Sequence, residues 1–235
     1  MMKQELKIEG IPAIVWGEKS NKLFIAVHGN MSNKADDAIV IFAEEASARG
    51  YQVLSFDLPE HGDREEEKYA CKVQNCVHDL EIIMRYAQNL SNDISIFACS
   101  MGAYFSLLSY NKLPLKQSLF LSPVLDMERI IKGMMTWFNV SEEKLKAEKE
   151  VSTPIGQILY WDYYQYVKSH PINTWKSPTA ILYGSDDNLC EFDVVSAFSD
   201  RFHCELGVME HGEHYFHTKE QLQFFRQWLQ EHIAE

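Results

Sequence analysis

The sequence predicts an α/β protein whose mainly parallel central sheet is covered by helices on both faces. Three observations carry that expectation. Short, continuous apolar runs recur along the chain, as strands buried on both faces require. Between them lie stretches whose apolar residues return at helical spacing. The connections are short, and strand and helix patterns alternate, which is the order of repeated βα units.

The elements follow in sequence. Leu6 to Trp16 reads as a hairpin, and Leu23-Phe24-Ile25-Ala26-Val27 as the first fully buried strand. Ile39, Phe42, Ala43 and Ala46 then mark one face of a helix that Gly50 can close at its C-terminal end. Tyr51 to Phe56 is the next strand, and Val73, Cys76, Val77, Leu80, Ile83, Met84 and Ala87 trace a long amphipathic helix. Ile94 to Phe97, Ser118 to Leu121 and Thr179 to Tyr183 are further strands, with a weaker signal at Cys204 to Met209. The last helix carries Leu222, Phe225, Leu229 and Ile233 on its inner face.

One segment interrupts the alternation. Residues 127–176 read as two or three helices with no strand of their own, an insertion over the edge of the sheet. It holds Trp137, Phe138, Tyr160, Trp161, Tyr163, Tyr164 and Tyr166, more aromatic side chains than a plain crossover helix needs. These rings either pack the insertion onto the body or line an apolar pocket, with Trp137, Tyr160, Trp161 and Tyr164 as the pocket candidates. Without repeats, low-complexity segments or linkers, the expectation is a single domain, 1–235, bearing a helical cap at about 127–176.

Composition narrows the function. Hydrophobic residues make up 46% and charged residues 24% of the 235, a globular balance. The net charge of −12 and the lack of clustered Lys and Arg argue against nucleic acid or an anionic membrane surface as partner. The densest charge run, Asp63-Arg64-Glu65-Glu66-Glu67-Lys68, reads as a solvated loop. No stretch has the apolar core of a signal peptide or the length of a membrane span, so the expected setting is soluble and cytoplasmic. Five cysteines without zinc-finger spacing read as reduced thiols. No cofactor is expected, and oligomeric state is left open.

The most informative stretch is Ala98-Cys99-Ser100-Met101-Gly102, where a buried strand runs straight into an apolar helix. A sharp strand-to-helix turn lifts Ser100 to the sheet's edge and demands small neighbours two places before and after it, as Ala98 and Gly102 are. This is the physics of a nucleophile elbow, GxSxG, with alanine for the first glycine. The helix points its N-terminal amides at the serine, where they can stabilise developing negative charge. The plainer alternative is a serine that caps a helix.

Five short motifs, in order and at predicted strand ends, resemble those of the α/β-hydrolase family over nearly the whole chain. His28-Gly29-Asn30 is similar to the family's oxyanion-loop HG motif, and Asp57-Leu58-Pro59-Glu60-His61-Gly62 to its DxPxHG loop. The elbow at Ser100 comes next. Gly184-Ser185-Asp186-Asp187 resembles the GxxD acid loop, and Gly212-Glu213-His214-Tyr215 the GxH loop. The likeness is closest to small capped esterases and lipases of the monoacylglycerol-lipase and serine-aminopeptidase type. It implies the α/β-hydrolase fold and hydrolysis of an acyl bond, a carboxylic ester first, of a small apolar-acyl substrate. The same machinery would serve a peptidase, an amidase or a thioesterase, and a hydrolase-fold protein that binds a ligand without turnover is the alternative of another class.

The resemblance implies roles residue by residue. Ser100 would be the nucleophile, His214 the base that takes its proton, and Asp187 the carboxylate that holds the imidazole tautomer. Asp186 beside it and Asp126 after the preceding strand remain alternatives for the carboxylate. The backbone amides of Asn30 and Met101 would form the oxyanion hole. His211 and His217 flank His214, but the region lacks the HExxH pattern of a zinc site, so no metal is expected.

Overall fold

The computed structural model describes residues 1–234; residue 235, the last position of the unit expected to span 1–235, lies outside the described residues. The hairpin forms from β1 (Lys3–Ile8) and β2 (Ile11–Trp16), followed by β3 (Lys22–Val27), α1 (Asp37–Ala48) and β4 (Gln52–Phe56). Next come α2 (Val73–Leu90), β5 (Asp93–Cys99), α3 (Met101–Tyr110) and β6 (Ser118–Leu121). The inserted segment contributes α4 (Met127–Trp137), α5 (Glu142–Glu148), β7 (Glu150–Ser152), β8 (Ile158–Tyr160) and α6 (Trp161–Ser169). The chain continues through β9 (Thr179–Gly184), α7 (Phe192–Phe202), β10 (Glu205–Met209) and α8 (Lys219–His232).

The main sheet has eight strands in the order β1-β2-β4-β3-β5-β6-β9-β10. Pairing is antiparallel at β1–β2 and β2–β4 and parallel from β4 to β10. Strand periodicity divides the core into two layers. Leu23, Ile25 and Val27 of β3 join Ile96 and Ala98 of β5 under α2 and α3, while Phe24 and Ala26 turn to the opposite face. There Phe97 stacks on Phe42 of α1, ring centroids 4.1 Å apart, and faces Phe225 of α8 at 5.8 Å. Each of these side chains is withdrawn from water, worth about 1.5–3 kcal/mol for an aliphatic or Phe side chain.

Local signals set the helix ends. Asp36 caps α1 by accepting from the Ile39 amide, and Gly50, at φ +79°, closes it with bonds from Gly50 N–H to Ser47 and Tyr51 N–H to Ala46. Thr218 and Gln221 form a capping box at the start of α8. Among the described residues no helix is long and apolar enough to cross a membrane.

Two expectations change. Residues 127–176 hold three helices and also a small antiparallel hairpin, β7–β8, instead of helices alone. Its strands pair only with each other and have three residues each, too few for an alternating pattern to show in the sequence. The run Asp63 to Lys68 is also not simply a solvated loop. Arg64 is buried, with ion pairs to Asp79 at 2.6 Å and Glu67 at 2.8 Å. Asp63 pairs with Lys34 at 2.7 Å. The sequence run shows the charges but not partners that lie far along the chain.

Lys34 and the fully buried Asp57 form the tightest part of this network. Asp57 Oδ2 accepts from Lys34 Nζ at 2.5 Å and from the Asp63 amide at 3.0 Å, while Oδ1 accepts from the Lys34 amide at 2.8 Å. Breaking a buried pair leaves an uncompensated charge. Asp57→Ala is expected to lower the unfolding free energy by about 3–5 kcal/mol in urea denaturation, and the double replacement Asp57→Leu/Lys34→Met to recover much of that loss.

Candidate active site

Six of the parallel strands end at one edge of the sheet, and the residues singled out in the sequence gather there. Ser100 follows β5 with φ +49° and ψ −121°, a conformation that costs a non-glycine residue about 1–3 kcal/mol. The strain is held from β6. The Ser100 amide donates to the Leu121 carbonyl at 3.0 Å, and the Ser100 carbonyl accepts from Val124 N–H at 3.0 Å and Ala103 N–H at 3.1 Å. Small residues are needed around it. A Cβ on Gly102 would press into the Val27 and His28 carbonyls, and one on Gly29 would lie 3.1 Å from the Ser100 Cβ.

From this elbow a hydrogen-bonded chain runs inward. Ser100 Oγ lies 2.8 Å from His214 Nε2, and His214 Nδ1 lies 2.7 Å from Asp187 Oδ2. Asp187 has no exposed side-chain surface, and its Oδ1 accepts from the amides of Leu189 and Cys190, each at 2.8 Å. Those two amides orient the carboxylate; they were not singled out in the sequence because a backbone donor has no residue signature.

The loops bearing Asp187 and His214 are locked together at the backbone. Asp186 N–H donates to the Gly212 carbonyl at 2.8 Å, Ser185 N–H to the Met209 carbonyl at 2.9 Å, and His211 N–H to Ser185 Oγ at 2.7 Å. A Cβ on Gly184 would collide with the Gly212 backbone, and one on Gly212 would lie 2.9 Å from the Gly184 Cα. Both glycines stand in the motifs read from the sequence, but their mutual contact was not legible there.

On the other side of Ser100, the loop 28–31 is shaped by two histidines. His28 Nδ1 donates to the Gly29 carbonyl at 2.7 Å and Nε2 accepts from the Leu58 amide at 3.0 Å, which defines a neutral ring. Burial pushes its pKa down to about 3, reinforced by His61 and Lys34 and opposed by the bond to Gly29. His61 reaches the Pro59 carbonyl at 2.7 Å through Nδ1 and Asn30 Oδ1 at 3.2 Å through Nε2. Met101 opens α3, where its N–H is one of the helix-terminal donors with no intrahelical acceptor.

The alternatives lie elsewhere. Asp126 caps α4 by accepting from the Arg129 amide, and Asp186 lies 3.5 Å from the exposed ring of His211. His217 Nδ1 contacts the carbonyl of Tyr215 at 2.8 Å. Asp187, Cys190 and His214 bring one potential metal-ligand atom each within 4.8 Å. The carboxylate and imidazole are already bonded to each other, and burial, with Asp187 beside it, holds the Cys190 thiol protonated. That donor set does not favour an ion.

The four aromatic candidates divide between two places. Trp137, 72% exposed, lines a cavity of about 120 Å³ with Pro123, Leu125, Met134, Leu189 and Val194. One wall begins beside Val124, bonded to Ser100, and the other follows Asp187. Tyr160 stands under Lys72 Nζ, 4.2 Å from the ring centroid. The Trp161 ring lies tilted against that of Tyr164, centroids 6.1 Å apart, and Tyr164 is buried with its hydroxyl on Glu142 at 3.2 Å.

The sheet order and the strand-end site define the α/β-hydrolase fold, and this chain has it. Est1E from Butyrivibrio proteoclasticus, solved with ferulic acid bound, is similar with a TM-score of 0.77 at 18% identity, over 97% of this chain and 96% of that one. Mouse alpha/beta hydrolase domain-containing protein 10 gives a TM-score of 0.75 at 15% identity, with 98% of each chain covered. A Pyrococcus furiosus esterase gives 0.69 at 21% identity, over 98% of this chain and 88% of that one. At these identities the likeness is one of fold. No family model and no curated sequence matches the chain.

The neutral, buried His28 ties stability to pH. Its proton is bound in the unfolded chain below 6.5 but excluded from the folded one down to about 3, so its stabilisation is complete above pH 6.5 and lost as pH falls from there. Between pH 6.5 and 4.5 the slope of unfolding free energy against pH should be steeper for the wild type than for His28→Gln, by about 1 kcal/mol per pH unit in urea titrations.

Proposed function

We propose that this protein is a serine hydrolase that cleaves a carboxylic ester of a small apolar-acyl substrate through an acyl-enzyme. The observation that carries the proposal is the continuous chain from Ser100 Oγ through His214 to the buried Asp187 carboxylate. A serine hydroxyl is a weak nucleophile until a positioned base takes its proton, and an imidazole serves as base when its other nitrogen donates to a fixed acceptor. Here Asp187 is that acceptor, and the Leu189 and Cys190 amides keep it oriented.

In this reading Ser100 attacks the ester carbonyl while His214 takes its proton and passes it to the leaving alcohol. The carbonyl oxygen gains negative charge between the N–H groups of Met101 and Asn30, the former reinforced by the N-terminus of α3. Water, activated by the same histidine, then releases the acid. The unit 1–235 works as one domain in which the segment 127–176 is a cap, and the groove beside Trp137 receives the apolar part of the substrate. Its Met134, Leu125, Leu189 and Val194 walls support an apolar occupant.

A fluorophosphonate probe should label the native protein and not Ser100→Ala; folded protein that takes no label would favour a binding protein without turnover. Toward p-nitrophenyl acetate, Asp187→Asn should lower kcat by about 10⁴ and Asp126→Asn by far less. A reversed ranking would assign the carboxylate to Asp126.

The exposed Trp137 can be tested without disturbing the core. Across p-nitrophenyl esters of increasing acyl length, Trp137→Ala should reduce the gain in kcat/KM from added methylenes, each worth up to about 0.8 kcal/mol when buried, and should leave Tm unchanged. Equal loss for all esters would remove Trp137 from the acyl site.

A further inference from the structure

Beyond the ester-cleaving site, Cys71 and Cys76 lie beside the DxPxHG loop with their sulfurs 3.6 Å apart. Cys71 is in the loop before α2 and half-buried; Cys76 is in the first turns of α2 and fully buried. The Cys71 backbone is tied to the loop, since its N–H donates to Glu60 Oε2 at 2.7 Å. His61, which follows Glu60 in that loop, helps to lower the Cys71 pKa and reaches Asn30 Oδ1 at 3.2 Å. Lys72, the next residue, pairs with Asp162 of α6 at 2.9 Å and covers the Tyr160 ring. Cys71 thus joins the loop beside Asn30 to the inserted segment.

We propose that Cys71 and Cys76 are a hydroperoxide-sensitive thiol pair that closes to a disulfide and, by drawing Cys71 away from His61, lowers turnover at Ser100. Closure requires the sulfurs to approach from 3.6 Å to the bonded distance of about 2.05 Å, a shift within reach of a loop residue moving toward a helix. The two thiols have different roles. The hydrogen bond with the Cys76 thiol, together with the neighbouring His61, outweighs burial and lowers the Cys71 pKa. Burial would lower the His61 pKa, but Cys71 and the Pro59 carbonyl raise it above the ordinary histidine range. Burial and the adjacent Cys71 keep Cys76 protonated. Cys71 is therefore the attacking thiolate, and Cys76 the resolving thiol.

The chemistry balances with a hydroperoxide as the oxidant. Cys71 thiolate attacks the terminal oxygen, an S–O bond forms as the O–O bond breaks, and the departing alkoxide or hydroxide takes a proton from His61. Cys76 sulfur then attacks the sulfenic sulfur, an S–S bond forms as the S–O bond breaks, and hydroxide leaves as water with the Cys76 proton. Two electrons pass from the thiols to the peroxide. The loss of turnover rests on the role given to Asn30 above, whereas disulfide formation does not.

The test separates the two parts. The reduced, full-length protein is treated with hydrogen peroxide and digested with trypsin without reductant. Cleavage at Lys68, Lys72 and Arg85 puts Cys71 in 69–72 and Cys76 in 73–85. The expected product is these two peptides linked, about 2 Da below the sum of their masses, and restored by dithiothreitol. Hydrolysis of p-nitrophenyl acetate should fall by about tenfold or more and recover with the reductant, toward the 10²-fold expected for one lost oxyanion donor. Cys71→Ser and Cys76→Ala, with Cys204→Ser as control, should abolish the linked peptide and the peroxide sensitivity together. Absence of the linked peptide overturns the pair, and the linked peptide with unchanged turnover overturns its coupling to Ser100. Sensitivity that survives in both Cys71→Ser and Cys76→Ala assigns it to another group and also overturns the coupling. Should the protein hydrolyse no ester, the peptide mapping still decides the thiol pair.

Discussion

The constraint on which the site depends is backbone-to-backbone contact at the ends of parallel strands. Gly184 at the end of β9 and Gly212 after β10 approach so closely that neither can carry a Cβ without displacing the other's main chain. Side-chain packing can relax by changing rotamers; two peptide units held by hydrogen bonds have no such freedom. The separation between the Asp187 and His214 loops is therefore set by covalent geometry and the β9–β10 register, and the 2.7 Å contact between their side chains inherits that precision. On the other side of Ser100, Gly102 is pressed in the same way against the Val27 and His28 carbonyls. A site built on strand ends gains rigidity that a site built on free loops lacks.

Beneath the site lies a second, electrostatic layer. Lys34, Asp57 and Asp63, with Arg64 and Asp79, place several charges in or near the interior. Buried ion pairs offset their desolvation only when geometry and extra hydrogen bonds are good, so their contribution to net stability is small. Their effect here is positional. Asp57 joins the approach to α1 to the 57–63 loop through two donors of Lys34, closes the loop on itself through the Asp63 amide, and Arg64 fastens that loop to α2 through Asp79. The loop that faces Asn30 is thus held by charges at both ends.

Much of the fold was legible in the sequence because β3, β5 and β9 are apolar on both faces, which only a sheet covered twice can bury. The elbow was legible for a related reason: a strand, a serine, small neighbours and a helix occupy adjacent positions. What stayed hidden depends on partners distant in the chain or on backbone groups. The β7–β8 hairpin is too short to show a period, Arg64 reveals its buried role only when Asp79 is placed beside it, and the sulfur contact of Cys71 and Cys76 depends on how the loop enters α2. The amides of Leu189 and Cys190, which orient Asp187, have no sequence signal at all.

The bond between Ser100 and His214 closes a separation of 114 residues. Every element around the serine, from β3 to β6, precedes the histidine by a long stretch of chain. During synthesis the strained elbow, with its α3 amides, can be packed while the position opposite Ser100 is still empty. The strain at φ +49° is thus borne by early neighbours, Leu121 and Val124, and not by the late-arriving imidazole. The groups that fix the Ser100 backbone thus lie within about two dozen residues of it, at Ala103, Leu121 and Val124, whereas its side-chain partner comes from the far end of the chain.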